Sequence, residues 1–181
     1  MIDLLLQDRK LSGRSFNWAN WQSELTLKTC FPCIKRHGKI VKLSAIQSSP
    51  PLLHENCKCI LVPMRTKQCG FATKEGFVGA DVYVLIYKKL PNYYISRAEA
   101  CTAGWKPHRG NLRELLPGKT IGGDVYQNRE GTLPDAPGRI WHEADINYTG
   151  GFRGRDRLLY SNDGLLFVSY DHYKTFYEII K

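Results

Sequence analysis

Glu143, Arg153, Arg157 and His172 are residue types that together could carry internal transfer within an RNA backbone. That reaction needs a base to take the 2′-hydroxyl proton, an acid to protonate the departing 5′-oxygen, and cations to hold the phosphate as charge builds. Glu143 and Asp145 are two apart in a stretch of strand character, so both side chains point to one face. Arg153 and Arg157 follow on the next loop and strand, and His172 falls in the turn between the last two strands, where a loop histidine can meet a groove. A plainer reading stands beside this one. A Glu/Asp pair near two arginines also makes a salt-bridge network, a histidine beside Asp171 is also a surface residue, and arginines in Gly150-Gly151-Phe152-Arg153-Gly154 also solubilise a loop. Composition and spacing leave both open.

The elements that must position these residues have a definite order. Val78 to Lys89 has near-helical apolar spacing (Val78, Val82, Leu85, Ile86) and stops at Leu90-Pro91, where proline forbids continuation. Ser96-Arg97-Ala98-Glu99 is a capping-box pattern that opens a short helix closed by Gly104. Asn111 to Leu116 predicts a third helical piece, ended by Pro117-Gly118. Strands follow at 121–126, 139–148, 157–161, 165–170 and 173–180, with Asn162-Asp163-Gly164 as a hairpin turn. Helices first and strands afterwards predict an α+β fold, an antiparallel meander with one face packed on the helices.

The chain of 181 residues is long enough for one comfortable domain, or for one small domain plus a compact extension. Its 43% hydrophobic and 24% charged residues are those of an ordinary globular protein. No apolar run approaches the ~20 residues a membrane span needs, and the start Met1-Ile2-Asp3-Leu4-Leu5-Leu6 has no basic leader, so no secretory signal is expected. The net charge of +9 is uneven: residues 1–76 carry 12 Lys and Arg against 5 Asp and Glu, and residues 77–181 carry 14 against 12. The front is a basic arm that either binds phosphates or simply keeps the chain in solution. A boundary is expected near 70 to 76, with an extension over 1–70, a linker over 71–76 and a domain over 77–181.

Within that extension, Cys30-Phe31-Pro32-Cys33 is followed by His54-Glu55-Asn56-Cys57-Lys58-Cys59. Two ligand pairs across a loop of about twenty residues suit tetrahedral zinc, with Cys30, Cys33, Cys57 and Cys59 as ligands and His54 as an alternate. Buried free thiols, or a disulfide formed after export, are the other readings. Cys69 and Cys101 are read as incidental.

The stretches Tyr94-Ile95-Ser96-Arg97-Ala98-Glu99-Ala100, Pro117-Gly118-Lys119-Thr120-Ile121-Gly122-Gly123-Asp124, Asn128-Arg129-Glu130-Gly131, Glu143-Ala144-Asp145-Ile146-Asn147-Tyr148-Thr149 and Asp171-His172-Tyr173-Lys174-Thr175-Phe176 closely resemble the barnase-type bacterial ribonucleases. The resemblance runs from about Gly79 to the C-terminus, and it implies helices packed on a five-stranded antiparallel sheet. It implies metal-independent cleavage 3′ of guanosine, with Glu143 as general base, His172 as general acid, and Arg97, Arg153 and Arg157 at the phosphate. Asn128, Arg129 and Glu130 match the guanine-recognition loop, Tyr126 and Tyr173 the aromatic positions flanking the bases, Asp124 a brace for that loop, and Asp145 a structural carboxylate pairing with the arginines. Two residues depart from the family. Arg97 stands where lysine is common, exchanging a compact ammonium for a planar fork, and Gly164 stands where the family has a large aromatic near the acid. His142 is expected on the opposite strand face from Glu143, in a structural role.

Gly38-Lys39-Ile40 and Pro51-Leu52-Leu53-His54-Glu55-Asn56-Cys57-Lys58-Cys59 resemble the C-terminal end of phage head-morphogenesis (minor capsid) proteins. A nuclease behind such a segment implies an antibacterial toxin, exported or delivered into a target cell's cytoplasm by a route the sequence does not show. The family resemblance further implies RNA as substrate, a small acidic barstar-like inhibitor as partner, and a monomer without a membrane span. The competing function is a basic, zinc-stapled phage-structural module that holds nucleic acid without cleaving it.

Overall fold

The alternating pattern from Thr120 onward folds as expected into consecutive antiparallel strands. In the computed structural model, which describes residues 17–46 and 57–181, the chain forms two compact units: Met1–Met64 with Asn128–Ala136, and Arg65–Gln127 with Pro137–Lys181.

In the first unit, β1 (Trp18–Gln22) pairs antiparallel with β2 (Ile40–Lys42) on one side and β3 (Ile60–Pro63) on the other. Two short helices, α1 (Phe31–Arg36) and α2 (Leu43–Ile46), lie between these strands in the chain. Pro32 in the first turn of α1 needs no hydrogen-bonded N–H there. Ala19, Trp21 and Leu61 make a small core. The Pro50-Pro51 breaker and His54 lie outside the described residues.

The second unit begins with β4 (Thr66–Gln68), then a 3-10 turn at Gly76–Val78 and α3 (Ala80–Tyr87). The expected linker at 71–76 is folded into this unit. Ala72 and Thr73 are buried, and the buried Asp81 accepts hydrogen bonds from Gly70 N–H (2.8 Å) and Thr73 Oγ1 (3.2 Å). Helix α3 ends at Lys88, whose left-handed φ of 57° stops it before Pro91. After β5 (Tyr94–Ile95) comes α4 (Arg97–Thr102), opened by the predicted capping box: Ser96 accepts from the Glu99 N–H, and the Glu99 carboxylate accepts from the Ser96 N–H. Next come α5 (Leu112–Leu115) and the meander β6 (Thr120–Tyr126), β7 (Trp141–Asp145), β8 (Arg157–Ser161), β9 (Leu166–Ser169) and β10 (Tyr177–Ile180).

The sheet is α+β as expected but has seven strands, ordered β4-β10-β9-β8-β7-β6-β5, where five were expected. The five antiparallel strands are the predicted meander. The extra two are parallel edge pairings, β4 on β10 and β5 on β6, each only two or three residues long and too short to show a period. Helix α3 packs on one face over Ala144, Leu158, Leu166, Val168 and Ile179, while α4 and α5 close a second cluster of Ala100, Leu112 and Ile121 with Trp105. Burying each large apolar side chain of this core contributes roughly 1.5–3 kcal/mol. Gly122 permits the β5–β6 approach, because a Cβ there would meet Tyr94 at 2.5 Å and Ala144 at 2.8 Å. Among the described residues no helix is long and apolar enough to cross a membrane.

Candidate active site

Strands β7 and β8 lie at the centre of the sheet, and their register sets Asp145 opposite Arg157 and Glu143 opposite Leu159. The alternation of a strand puts Glu143 and Asp145 on one face, as predicted. His142 turns to the other face, where its Nδ1 lies 3.1 Å from the Gly123 carbonyl and its ring stacks on Tyr160.

Asp145 is buried and pairs with both arginines. Arg153 grips it with two bonds, Nε at 2.6 Å and Nη2 at 2.7 Å, and Arg157 Nε stands at 3.1 Å. A bidentate pair of this kind fixes the plane of the guanidinium. Burial alone would lower the Arg153 pKa, but the Asp145 pair outweighs it and the net shift is upward. Arg157 is buried and further held by the carbonyls of Gly154 (2.8 Å) and Asp156 (2.9 Å) through Nη1. These pairs orient two cations on the strand face that Glu143 shares.

Tyr173 joins the two halves of this group. Its hydroxyl donates to Glu143 Oε2 and accepts from Arg157 Nε at 3.1 Å. Burial first, and then the neighbouring Glu143 carboxylate, push the Tyr173 pKa well up, so the hydroxyl remains a donor at neutral pH. Tyr126 and Tyr173, expected to flank the bases, lie against each other with ring centroids 5.1 Å apart.

His172 is exposed in the segment between β9 and β10, with its ring 4.7 Å from that of Tyr173. His172 and Tyr173 both have left-handed backbones, φ 59° and 68°, a conformation that costs a non-glycine residue about 1 kcal/mol or more and persists only when neighbours enforce it. The enforcing group is Asp171. Its carboxylate accepts from the Lys174 N–H, the Thr175 N–H, and the hydroxyls of Thr175 and Ser169, and Ser169 Oγ accepts in turn from the Tyr173 N–H. Burial raises the Asp171 pKa, but these hydrogen bonds outweigh it and hold it below the ordinary value. Sequence reasoning passed over this residue, although an aspartate followed four residues later by threonine is the available signal.

Arg97 is exposed on the first turn of α4, where its backbone N–H donates to Asp124 (3.0 Å). Asp124 thus ties α4 to β6, whereas a brace for the recognition loop was expected. Asn128, Arg129 and Glu130 follow β6 but belong to the first compact unit. Asn128, at φ 45°, closes the loop by donating to the Leu133 carbonyl (2.9 Å) and accepting from the Leu133 N–H (3.0 Å). Arg129 and Glu130 are exposed on its rim. On the far side of the loop, the Ile40 N–H at the edge of β2 donates to the Thr132 carbonyl at 2.9 Å. Gly164 sits at φ 95° in the β8–β9 turn, with open space where a side chain would project.

Of the cysteines singled out as ligands, Cys33, Cys57 and Cys59 bring their Sγ atoms within 4.8 Å of one another. Cys30 lies outside that tight group. It hydrogen-bonds with the buried Cys33 thiol, whose pKa rises through burial first and then through contacts with Cys30, Cys59 and Cys57. The alternate ligand His54 is outside the described residues.

Comparison with known proteins centres on the second unit. The profile of a ribonuclease family matches residues 81–180. A ribonuclease of Heyndrickxia coagulans is 54% identical over 103 residues, 57% of this chain and 94% of that protein. A ribonuclease of Bacillus intermedius is 54% identical over 103 residues, 57% of this chain but 64% of that protein's own length. Guanyl-specific ribonuclease St of Saccharopolyspora erythraea is 38% identical over 55 residues, 30% of this chain and 54% of that protein.

Proposed function

Because the chain belongs to the ribonuclease family, we propose that it is an endoribonuclease that cleaves single-stranded RNA 3′ of guanosine. The observation that carries this reading is Glu143 held by the Tyr173 hydroxyl at the edge of the Arg153–Asp145–Arg157 group. A carboxylate positioned beside the buried Arg157 and the half-buried Arg153 suits a base acting at a phosphodiester, whereas nucleic-acid binding alone needs no base.

In the first step Glu143 takes the proton of the 2′-hydroxyl as that oxygen attacks phosphorus. His172 gives a proton to the departing 5′-oxygen, and a 2′,3′-cyclic phosphate forms. In the second step the roles reverse: His172 takes a proton from water, the water oxygen attacks phosphorus, and Glu143 returns its proton to the 2′-oxygen as a 3′-phosphate is released. Charge that builds on the phosphate oxygens is offset by Arg153 and Arg157, already fixed by Asp145, and by Arg97 from the first turn of α4. Preorganised guanidiniums supply the stabilisation that a metal ion supplies in other nucleases, so this chemistry needs no cofactor. Asn128, Arg129 and Glu130 read the guanine edge through main-chain N–H groups and the Glu130 carboxylate, while Tyr126 and Tyr173 flank the bases. Base–aromatic stacking is worth roughly 1–3 kcal/mol.

The biological role that fits is an antibacterial toxin, exported or delivered into a target cell. An acidic inhibitor matches a site lined by Arg97, Arg153 and Arg157, and a monomer presents that site to it. Support comes from the resemblance of the front segment to phage head-morphogenesis proteins and from its charge of 12 basic against 5 acidic residues over 1–76.

Glu143→Gln is the direct test. Cleavage is expected to fall by about 10²–10⁴-fold with RNA binding retained. Unchanged cleavage removes Glu143 from the role of base, and loss of binding together with cleavage makes it a structural residue.

A further inference from the structure

We propose that Cys30, Cys33, Cys57 and Cys59 bind one zinc(II) ion, which staples the first compact unit. Three observations converge on this site. The Sγ atoms of Cys33, Cys57 and Cys59 lie within 4.8 Å of one another, with Cys33 and Cys57 at 3.5 Å. Tetrahedral zinc with bonds of about 2.3 Å holds its sulfurs roughly 3.8 Å apart, so these thiols stand near ligand spacing. A disulfide would use two of these sulfurs, whereas a metal ion uses all three.

The fourth ligand comes from the same turn as Cys33. The N–H groups of Cys33 and Ile34 both donate to the Cys30 carbonyl at 3.1 Å, the tight turn that lets a Cys-x-x-Cys pair face one point. Cys30, Cys33 and Cys59 border one cavity of about 620 Å³, together with Ser23 and Lys58. Cys30, whose thiol already hydrogen-bonds to that of Cys33, supplies the fourth sulfur.

The surroundings are those of a structural thiolate centre. Ser23 Oγ lies 3.3 Å from Cys59 Sγ and donates to the Cys33 carbonyl at 2.6 Å, fixing two ligand segments from outside. Soft thiolates select zinc, copper(I) or iron–sulfur clusters, and four cysteine ligands are among the structural zinc sets. The site would add a cross-link to a unit whose buried apolar residues, among those described, include Trp18, Ala19, Trp21, Ile40, Leu61 and Met64, the way structural metals support other small units.

The test uses the full chain as purified, with metal content measured by plasma mass spectrometry and thiol accessibility measured by alkylation and peptide mapping. We expect about one zinc per chain. Cys30, Cys33, Cys57 and Cys59 should resist alkylation until a chelator strips the zinc, while the exposed Cys101 is labelled throughout. Cobalt(II) in place of zinc should give the strong visible bands of a tetrahedral site and sulfur-to-metal charge transfer that weakens in Cys57→Ser. Four thiols that react without chelator, a mass two hydrogens lighter from a disulfide, or stoichiometric iron or copper would each overturn the proposal. Undiminished charge transfer in folded Cys57→Ser would overturn the ligand assignment. If that variant fails to fold, the metal content and shielding pattern of the unaltered chain still decide.

Discussion

The Tyr173 hydroxyl donates its hydrogen bond to the Glu143 carboxylate while Arg157 Nε donates to that hydroxyl, so carboxylate and cation are joined through one oxygen. Asp145 completes the line, holding Arg157 from the same strand as Glu143. The orientation of Glu143 therefore depends on a residue from the segment that also carries His172.

Tyr173→Phe removes only that oxygen and leaves the ring on Tyr126. A hydrogen bond to a charged group is worth about 1.5–3 kcal/mol. We expect kcat/KM to fall roughly ten- to hundredfold, with thermal unfolding little changed. Steady-state kinetics beside a melting curve check this, and an unchanged kcat/KM would show that Glu143 is oriented without Tyr173.

Asp171 makes the segment acid-sensitive. Burial raises its pKa, but its hydrogen bonds from Thr175, Ser169 and Lys174 win, so the folded value lies below the ordinary 3.8. A depressed folded pKa contributes stability that is present above the unfolded value and is lost as pH falls through the folded one. Asp171→Asn should thus be less stable than the parent at pH 7, and the difference should shrink as pH falls below 3.8. Urea unfolding of both proteins from neutral to acid pH reads the gap directly. A gap independent of pH would mean that the charge on Asp171 is irrelevant.

Asn128 bears on specificity. It tolerates φ 45° and spans the loop with two bonds to Leu133, and the loop is anchored by the Ile40 N–H on Thr132. Alanine loses both bonds and tolerates the left-handed backbone poorly. Asn128→Ala should lower the preference for GpA over ApA by roughly tenfold, about 1.4 kcal/mol, chiefly through KM on GpA. Equal losses on both dinucleotides would detach the loop from guanine recognition.

What could be read from residue types was local. Ser96 and Glu99 are three apart, and both capping-box bonds are present. Asn162-Asp163-Gly164 turns the chain between β8 and β9, and Glu143 and Asp145 share a face because they are two apart on a strand. What could not be read depends on residues distant in the chain or on backbone states that residue type does not signal. The β4–β10 pairing sets Thr66 beside Glu178, a contact no period announces. Tyr173 reads as a ring, and its hydroxyl reaches Glu143 from a pair of left-handed residues that are neither glycine nor asparagine. The spacing of the cysteines marked them as a group, but that Cys33, Cys57 and Cys59 lie closest follows from how α1 meets the chain at β3.

The most direct measurement is cleavage of GpA, ApA and UpA by the purified full chain, with and without EDTA, with products followed in time. GpA is expected to be cleaved fastest, with a 2′,3′-cyclic phosphate appearing before the 3′-phosphate and an initial rate unchanged by EDTA. Cleavage abolished by EDTA in a chain that keeps its fold, equal rates on all three dinucleotides, or no cleavage by folded protein would contradict the proposed function.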